Sequence, residues 1–168
     1  MKILLTNDDG IEAPGLQALM RALEGDHEIL VVAPASEKSA SSHSISLGQE
    51  FVVEELGRRR FAVYGTPADC VKFALSELKA DFLPDLLISG INPGPNTGVS
   101  VYYSGTISAA REALINGIPS IAVSLASKSC ADFALAVTFI RRLIEGYKAG
   151  QLPLNVMLNV NIPPLAEN

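Results

Sequence analysis

The chain has 168 residues, 48% of them hydrophobic and 18% charged, with a formal net charge of −5 and a pI near 5.0. That is enough apolar sequence for one domain with a real core, and it excludes a disordered chain. The acidic balance leaves no basic footprint for duplex nucleic acid, and no apolar run reaches the ~20 residues of a membrane-spanning helix.

Ile3-Leu4-Leu5 is a short apolar run that stops at Thr6-Asn7-Asp8-Asp9-Gly10. Such a run bounded by turn residues predicts a buried parallel strand. In open α/β sheets, ligands bind beyond the carboxyl ends of such strands. Two adjacent carboxylates repel unless a cation, a proton or hydrogen-bond donors compensate them, which points to a hard metal at Asp8 and Asp9. A helix cap or an Asp-Gly turn is the other reading of the same residues. After Pro14-Gly15, Leu16, Leu19, Met20 and Leu23 recur at helical spacing up to Gly25. His27 to Pro34 is a second strand, and strand, helix, strand within about 35 residues predicts a βαβ unit.

Ser36 to Ser44 carries five serines in nine residues with no strand or helix period, and reads as a loop on the same sheet edge as Asp8 and Asp9. Ile45 to Tyr64 predicts two or three short strands in an antiparallel excursion. Gly57 and Arg58-Arg59-Arg60 mark its turn, with the arginines solvated at a hairpin tip. Thr66 and Pro67 then predict an N-cap and first helical residue, with Asp69 as a partner for the helix dipole. Cys70, Val71, Phe73, Ala74 and Leu78 form that helix's buried stripe.

Asp85 to Ile88 is a third strand, ending in the loop Ser89 to Gly98, whose three glycines, two prolines and two asparagines fix backbone direction while presenting amides. Ser104-Gly105-Thr106 opens a helix whose free N–H groups and dipole make an anion site. It is not a Walker loop, since GxxxxGK[ST] is absent from the sequence. Ile118 to Ser124 is a fourth strand. Ala131 to Gly146 is an amphipathic helix with Phe133, Ala136, Val137, Ile140, Leu143 and Ile144 inward and Arg141-Arg142 exposed. Asn155 to Ile162 is the last strand before Pro163-Pro164.

Three strand ends thus offer hard oxygen ligands: Asp8 and Asp9, Ser39 or its neighbours, and Asn92. Two carboxylates with neutral oxygens suit one Mg²⁺ or Mn²⁺ better than zinc. Asn96 and the helix start at Ser104-Gly105-Thr106 are placed to hold a phosphate, and the combination predicts phosphoryl hydrolysis by metal-activated water. His43, in the serine loop, is a general acid or phosphate partner, or a histidine that braces the loop by a hydrogen bond. Lys38 and Arg111 read as surface or structural residues. Cys70 and Cys130 lack metal or redox spacing and are expected to be reduced, core or near-core thiols. With no leader pattern, the expected location is cytoplasmic.

Two rivals use similar parts. An aspartyl-phosphate phosphatase usually spaces its two aspartates by one residue, whereas these are adjacent. A receiver-type signalling domain needs a phosphate-accepting Asp at the end of the third parallel strand, which here reads Ser89-Gly90-Ile91-Asn92. A third reading is a catalytically silent core that only binds nucleotides or partners.

MKILLTNDDGI, VVAP followed by EKSASSHSIS, GTPADCVK, SGINPGPNTG, YSGTISAAREA and LNVNIP run in order from Met1 to about Pro164. They resemble successive motifs of the SurE family, survival proteins that act as metal-dependent 5′-nucleotidases. The expected fold is a three-layer α/β/α sandwich on a Rossmann-like, mostly parallel sheet. By resemblance, Asp8, Asp9, Ser39 and Asn92 fall on the family's divalent-metal ligands, with Asp8 and Asp9 acting through the metal. Asn96, Ser104, Gly105 and Thr106 fall on its phosphate pocket. The resemblance implies dephosphorylation of nucleoside monophosphates, with 3′-nucleotides or short polyphosphate as further substrates in some members, and self-association as dimers or tetramers. SurE chains usually continue into a protruding hairpin and exchanged C-terminal segments. This chain is expected to be one SurE-like domain, 1–168, without them.

Overall fold

Short apolar runs with residues of alternate parity on opposite faces need cover on both sides, and the chain supplies it with helices. The computed structural model describes residues 1–48, 50–127 and 132–163; Cys130, Ala131 and Pro164 lie outside them. In order, the elements are β1 (Lys2–Thr6), α1 (Pro14–Leu23), β2 (Glu28–Pro34), β3 (Val53–Gly57), β4 (Arg60–Val63), α2 (Pro67–Ser76), β5 (Leu86–Pro93), α3 (Ser100–Tyr103), α4 (Gly105–Ile115), β6 (Ser120–Leu125), α5 (Ala134–Lys148) and β7 (Met157–Ile162).

The strands form one sheet in the order β3-β4-β2-β1-β5-β6-β7. Every neighbouring pair is parallel except β3 with β4. Ile3 and Leu5 of β1, Ile88 of β5 and Val123 of β6 pack with Leu16 and Leu19 of α1 and Ile140 and Ile144 of α5. Leu4, Leu87 and Ala122 face the other way, onto Val71 and Ala74 of α2 and Ile107 and Ala110 of α4. The period of two in the strands therefore builds two cores, one on each face. This is the three-layer α/β/α arrangement expected of the sequence.

Helix α2 begins as its spacing predicts. Thr66 Oγ1 accepts the Asp69 N–H, Asp69 Oδ2 accepts the Thr66 N–H, and Pro67 takes the first turn.

Other boundaries differ from expectation for nonlocal reasons. The excursion over 45–64 contributes two strands, β3 and β4. Only β3 is antiparallel; β4 lies parallel to β2 and extends the main sheet. The arginine triplet does form its tip, but Arg59 pairs with Glu28 and Arg60 with Glu12, each at 3.0 Å. Strand β5 continues past Ile88 to Pro93, with a register shift against β6 between Ser89 and Asn92. Gly90 permits this close approach: with φ +135, a Cβ there would lie 2.3 Å from the Val123 carbonyl oxygen. The short helix α3 precedes Ser104, and α5 runs from Ala134 to Lys148 with Phe133 at its N-cap.

β1 is flanked by β2 on one side and β5 on the other, and the chain leaves it in one direction and returns in the other. The crevice beyond the ends of β1 and β5 is thus a topological switch point, where open α/β sheets bind ligands. β1 runs into Asn7, Asp8 and Asp9, and β5 carries Asn92.

At the far edge, β3 exposes Glu54 and Glu55, and its pairing with β4 is interrupted between Glu55 and Gly57.

Candidate active site

A cavity of about 510 Å³ opens at the switch point. Asp8 and Asp9 from the end of β1, Glu37 and Ser39 from the serine loop, Asn92 and Asn96 from β5 and its loop, Tyr103 from the end of α3 and Ser104 from the N-cap of α4 all line it.

The backbone after β1 is set by Asn7, whose side chain donates to the Gly10 carbonyl at 2.8 Å and accepts the Gly10 N–H at 3.3 Å. That closed turn aims the two carboxylates away from the strand. Asp8 is buried, and its Oδ1 accepts a 2.5 Å hydrogen bond from the Thr106 hydroxyl. Gly105 lies against it: a Cβ at Gly105 would be 2.6 Å from Asp8 Cβ and 2.9 Å from Asp8 Oδ2. The first turn of α4 therefore faces the carboxylate at a distance only glycine allows, and its positive dipole end opposes the negative charge. Burial raises the Asp8 pKa, while the Thr106 hydroxyl and the N–H groups of Thr106 and Gly105 act against that rise.

Asp9 has no such partners. Its carboxyl is pushed up to about 7, first by burial and then by the charges of Asp8 and Glu37. Its Oδ2 is buried without a hydrogen bond among the described residues. A buried, unpaired carboxylate oxygen beside two further carboxylates is the electrostatic signature of a cation site.

The donor set fits a hard ion. Asn92 gives its amide nitrogen to the Gly94 carbonyl at 2.7 Å, which leaves Oδ1 as its remaining polar atom. The Ser39 hydroxyl donates to Glu37 at 2.6 Å and keeps lone pairs to offer. The side-chain donors that line the cavity are oxygens and amides of Asp, Glu, Ser, Asn and Tyr rather than imidazole or thiolate. Two carboxylates, a hydroxyl and an amide oxygen are what Mg²⁺ or Mn²⁺ accepts, with water completing the shell.

The remaining expected site residues separate into two groups. Asn96 and Ser104 line the cavity, and Ser104 Oγ caps α4 by accepting the Ile107 N–H at 3.2 Å. Gly105 and Thr106 sit behind it against Asp8. His43 does not line the cavity: its Nε2 lies 2.9 Å from Glu112 Oε2 on α4, and Glu112 is buried. The serine loop that carries His43 and Ser39 is fastened repeatedly. Lys38 N–H donates to the Asp8 carbonyl, Ser42 N–H and Oγ to the carbonyls of Tyr103 and Tyr102, and Ser46 N–H and Oγ to Asp69.

Glu37 and Tyr103 were not singled out from the sequence. Glu37 sits two residues from Ser39 in the loop, a local signal. Tyr103 is set by the position of α3, which has no comparable signal.

The chain is similar to known proteins in sequence and in fold. The family model described as "Survival protein SurE" matches residues 3–168. The chain is 49% identical over 163 residues to the 5′-nucleotidase SurE of Vibrio cholerae serotype O1, covering 97% of this chain and 64% of that protein. It is 50% identical over 170 residues to the 5′-nucleotidase SurE of Heliobacterium modesticaldum, covering 98% and 62%. The crystal structure of the SurE protein from Aquifex aeolicus superposes with a TM-score of 0.92 at 37% identity, over 98% of this chain and 67% of that one. The chain therefore spans a little under two thirds of the length of these two curated relatives. Matched along nearly its whole length in sequence and in fold, the chain belongs to the SurE survival-protein family.

Proposed function

We propose that this site hydrolyses phosphate monoesters, chiefly nucleoside 5′-monophosphates, with one Mg²⁺ or Mn²⁺ held by Asp8, Asp9, Ser39 and Asn92. The observation that carries the reading is the meeting of the Asp8–Asp9 pair, with its orphaned carboxylate oxygen, and the start of α4 in one cavity. The relatives' name, 5′-nucleotidase SurE, supports the substrate class. 3′-Nucleotides and short polyphosphate belong to the same proposal as further substrates.

An ion at these oxygens supplies Lewis acidity toward a phosphoryl oxygen and an acidified water for in-line attack. The chain's own residues do the rest. Ser104 lines the cavity at the start of α4, whose positive dipole end faces the phosphoryl oxygens. Asn96 orients the same group from the opposite loop. The Thr106 hydroxyl holds Asp8 Oδ1 and opposes the rise in pKa that burial of this carboxyl causes. The bond from phosphorus to the ester oxygen breaks, a bond to the water oxygen forms, and one proton of that water ends on the leaving alcohol.

The cytoplasm is the proposed setting, in keeping with the free, buried thiol of Cys70; among the described residues no helix is long and apolar enough to cross a membrane. Self-association as a dimer or tetramer is proposed with it, and sedimentation equilibrium tests it.

The test of function is phosphate release from a nucleoside 5′-monophosphate with Mn²⁺ and with chelator, for wild type and Asp8→Asn. Release that requires the metal and is lost in Asp8→Asn supports the reading. A folded wild type that releases no phosphate with any divalent ion removes it, and leaves nucleotide binding without turnover as the function to measure.

A further inference from the structure

The loop that carries Asn96 is fastened by the last strand. Asn159 and Asn161 are two residues apart on β7, so their side chains leave the same face of the sheet. Both reach the backbone of one residue. Asn161 Oδ1 accepts the Asn96 N–H at 2.7 Å. Asn159 Nδ2 donates to the Asn96 carbonyl at 2.9 Å, and Asn161 Nδ2 to the same oxygen at 3.3 Å. Asn161 Nδ2 also donates to Asn159 Oδ1 at 3.1 Å, which locks the two amides together. From β6, Ser124 Oγ accepts the Asn96 side-chain Nδ2 at 3.0 Å.

The sheet register explains how these groups meet. Asn92 pairs with Ser124 across β5 and β6, and Ser124 pairs with Asn161 across β6 and β7. A cross-strand row of polar side chains therefore runs from the cavity wall to β7. Asn96 is 6% exposed, so its backbone groups lack water as an alternative partner and depend on these amides. Leu158, Val160 and Ile162 turn to the apolar face. The alternation Leu-Asn-Val-Asn-Ile thus gives one side of the strand to the core and the other to Asn96.

We propose that Asn159 and Asn161 are positioning residues that hold Asn96 in register with the phosphoryl group. Neither lines the cavity, and they act through the backbone of the residue that does. This rests on the phosphate-monoester reading of the site. An amide is suited to the task because it carries a donor and an acceptor on one rigid plane, matching the N–H and C=O of a single residue.

The experiment uses the whole chain with Mn²⁺ and compares wild type, Asn161→Leu, Asn159→Ala, Asn96→Ala and the double variant Asn96→Ala/Asn161→Leu. Four quantities are read: kcat and KM for a nucleoside 5′-monophosphate, the Kd of Mn²⁺ alone, the Kd of inorganic phosphate with Mn²⁺ present, and Tm. Asn161→Leu is expected to lower kcat/KM by about ten- to hundredfold, the scale of a misplaced catalytic contact, and to weaken phosphate binding. Mn²⁺ affinity should stay within about threefold, since the candidate metal ligands are untouched. In the Asn96→Ala background, Asn161→Leu should add little, because its effect is transmitted through Asn96. Additive losses in the double variant, or losses in Asn161→Leu that Mn²⁺ affinity and Tm share, would overturn the proposal in favour of a general structural role. If the wild type binds phosphate but releases none from the ester, the hydrolase reading fails by itself. The phosphate titrations across the same variants then still decide whether the asparagines position Asn96.

Discussion

The Thr106 hydroxyl reaches from the first turn of α4 to Oδ1 of Asp8 at 2.5 Å, joining residues 98 apart in sequence. Thr106 itself is fully buried. Thr106→Val keeps the shape and removes the donor, leaving a buried carboxylate without its closest partner. The expected cost is about 1–3 kcal/mol of stability, by analogy with other buried groups that lose a hydrogen bond. A fall in kcat/KM of about tenfold should accompany it, since Asp8 is no longer oriented. Thr106→Ser should restore most of both. Urea titration and steady-state kinetics on the three proteins check this; equal behaviour of the Val and Ser variants would refute the role of the hydroxyl.

Gly105→Ala tests the packing on the other side of the same carboxylate. The new methyl would sit 2.6 Å from Asp8 Cβ and 2.9 Å from Pro67 Cγ, inside any real contact distance. Asp8 and the helix start must move apart, for about 1–3 kcal/mol of destabilisation. Mn²⁺ affinity should drop by at least about tenfold, because the carboxylate is displaced as well as strained. Calorimetric titration with Mn²⁺ measures the second effect independently of turnover.

Metal addition should stabilise the fold through Asp9. With Oδ2 buried and unpartnered and the carboxyl pushed up to about 7, the metal-free site carries an uncompensated repulsion. Free Mn²⁺ at 100 times its Kd stabilises by about 2.7 kcal/mol. For a chain of this size that is an increase in Tm of roughly 5–10 °C. Asp8→Asn should lose most of the increase. Thermal melts with Mn²⁺ and with EDTA give the answer, and an Mn²⁺ response that survives Asp8→Asn would move the ion elsewhere.

His43 is the residue for which magnitude decides between two roles. A general acid contributes about 10²–10⁴-fold to the rate, whereas a brace can be replaced by another hydrogen-bonding side chain. The 2.9 Å approach of Nε2 to buried Glu112, away from the cavity wall, supports the brace. His43→Gln, which keeps a donor for Glu112, should therefore retain kcat within about threefold. His43→Ala should cost more, by removing one tie of the serine loop and leaving buried Glu112 Oε2 without its His43 contact, while Asn116 still holds Oε1. A loss of 10² or more in His43→Gln with an unchanged Tm would return the residue to catalysis.

Much of this molecule is legible in its sequence where the signal is local. Ile3-Leu4-Leu5 before two aspartates, and Thr66-Pro67-Ala68-Asp69 as a capped helix start, depend on neighbours within a turn of each other. The parallel sheet and its layers follow from runs that are apolar on both faces. What the residues alone do not reveal is set by pairing across the fold. β4 reads as half of a hairpin, yet its other edge is claimed by β2. β5 reads as ending at Ile88, yet contact with β6 carries it to Pro93. His43 finds Glu112 69 residues away. Asn159 and Asn161 are visible as the polar half of an alternating strand. Their target, Asn96, becomes apparent only once β5, β6 and β7 are in register.

Of the two edge strands among the described residues, β3 has a consequence for how the protein meets other chains. β3 offers its open edge with two exposed glutamates and a break in its ladder between Glu55 and Gly57. A second copy of the strand approaching that edge would meet like charge from Glu54 and Glu55, which disfavours edge-to-edge pairing there. Replacing both glutamates with valine would remove the like charge from that border and leave an apolar edge next to exposed Val52 and Leu56.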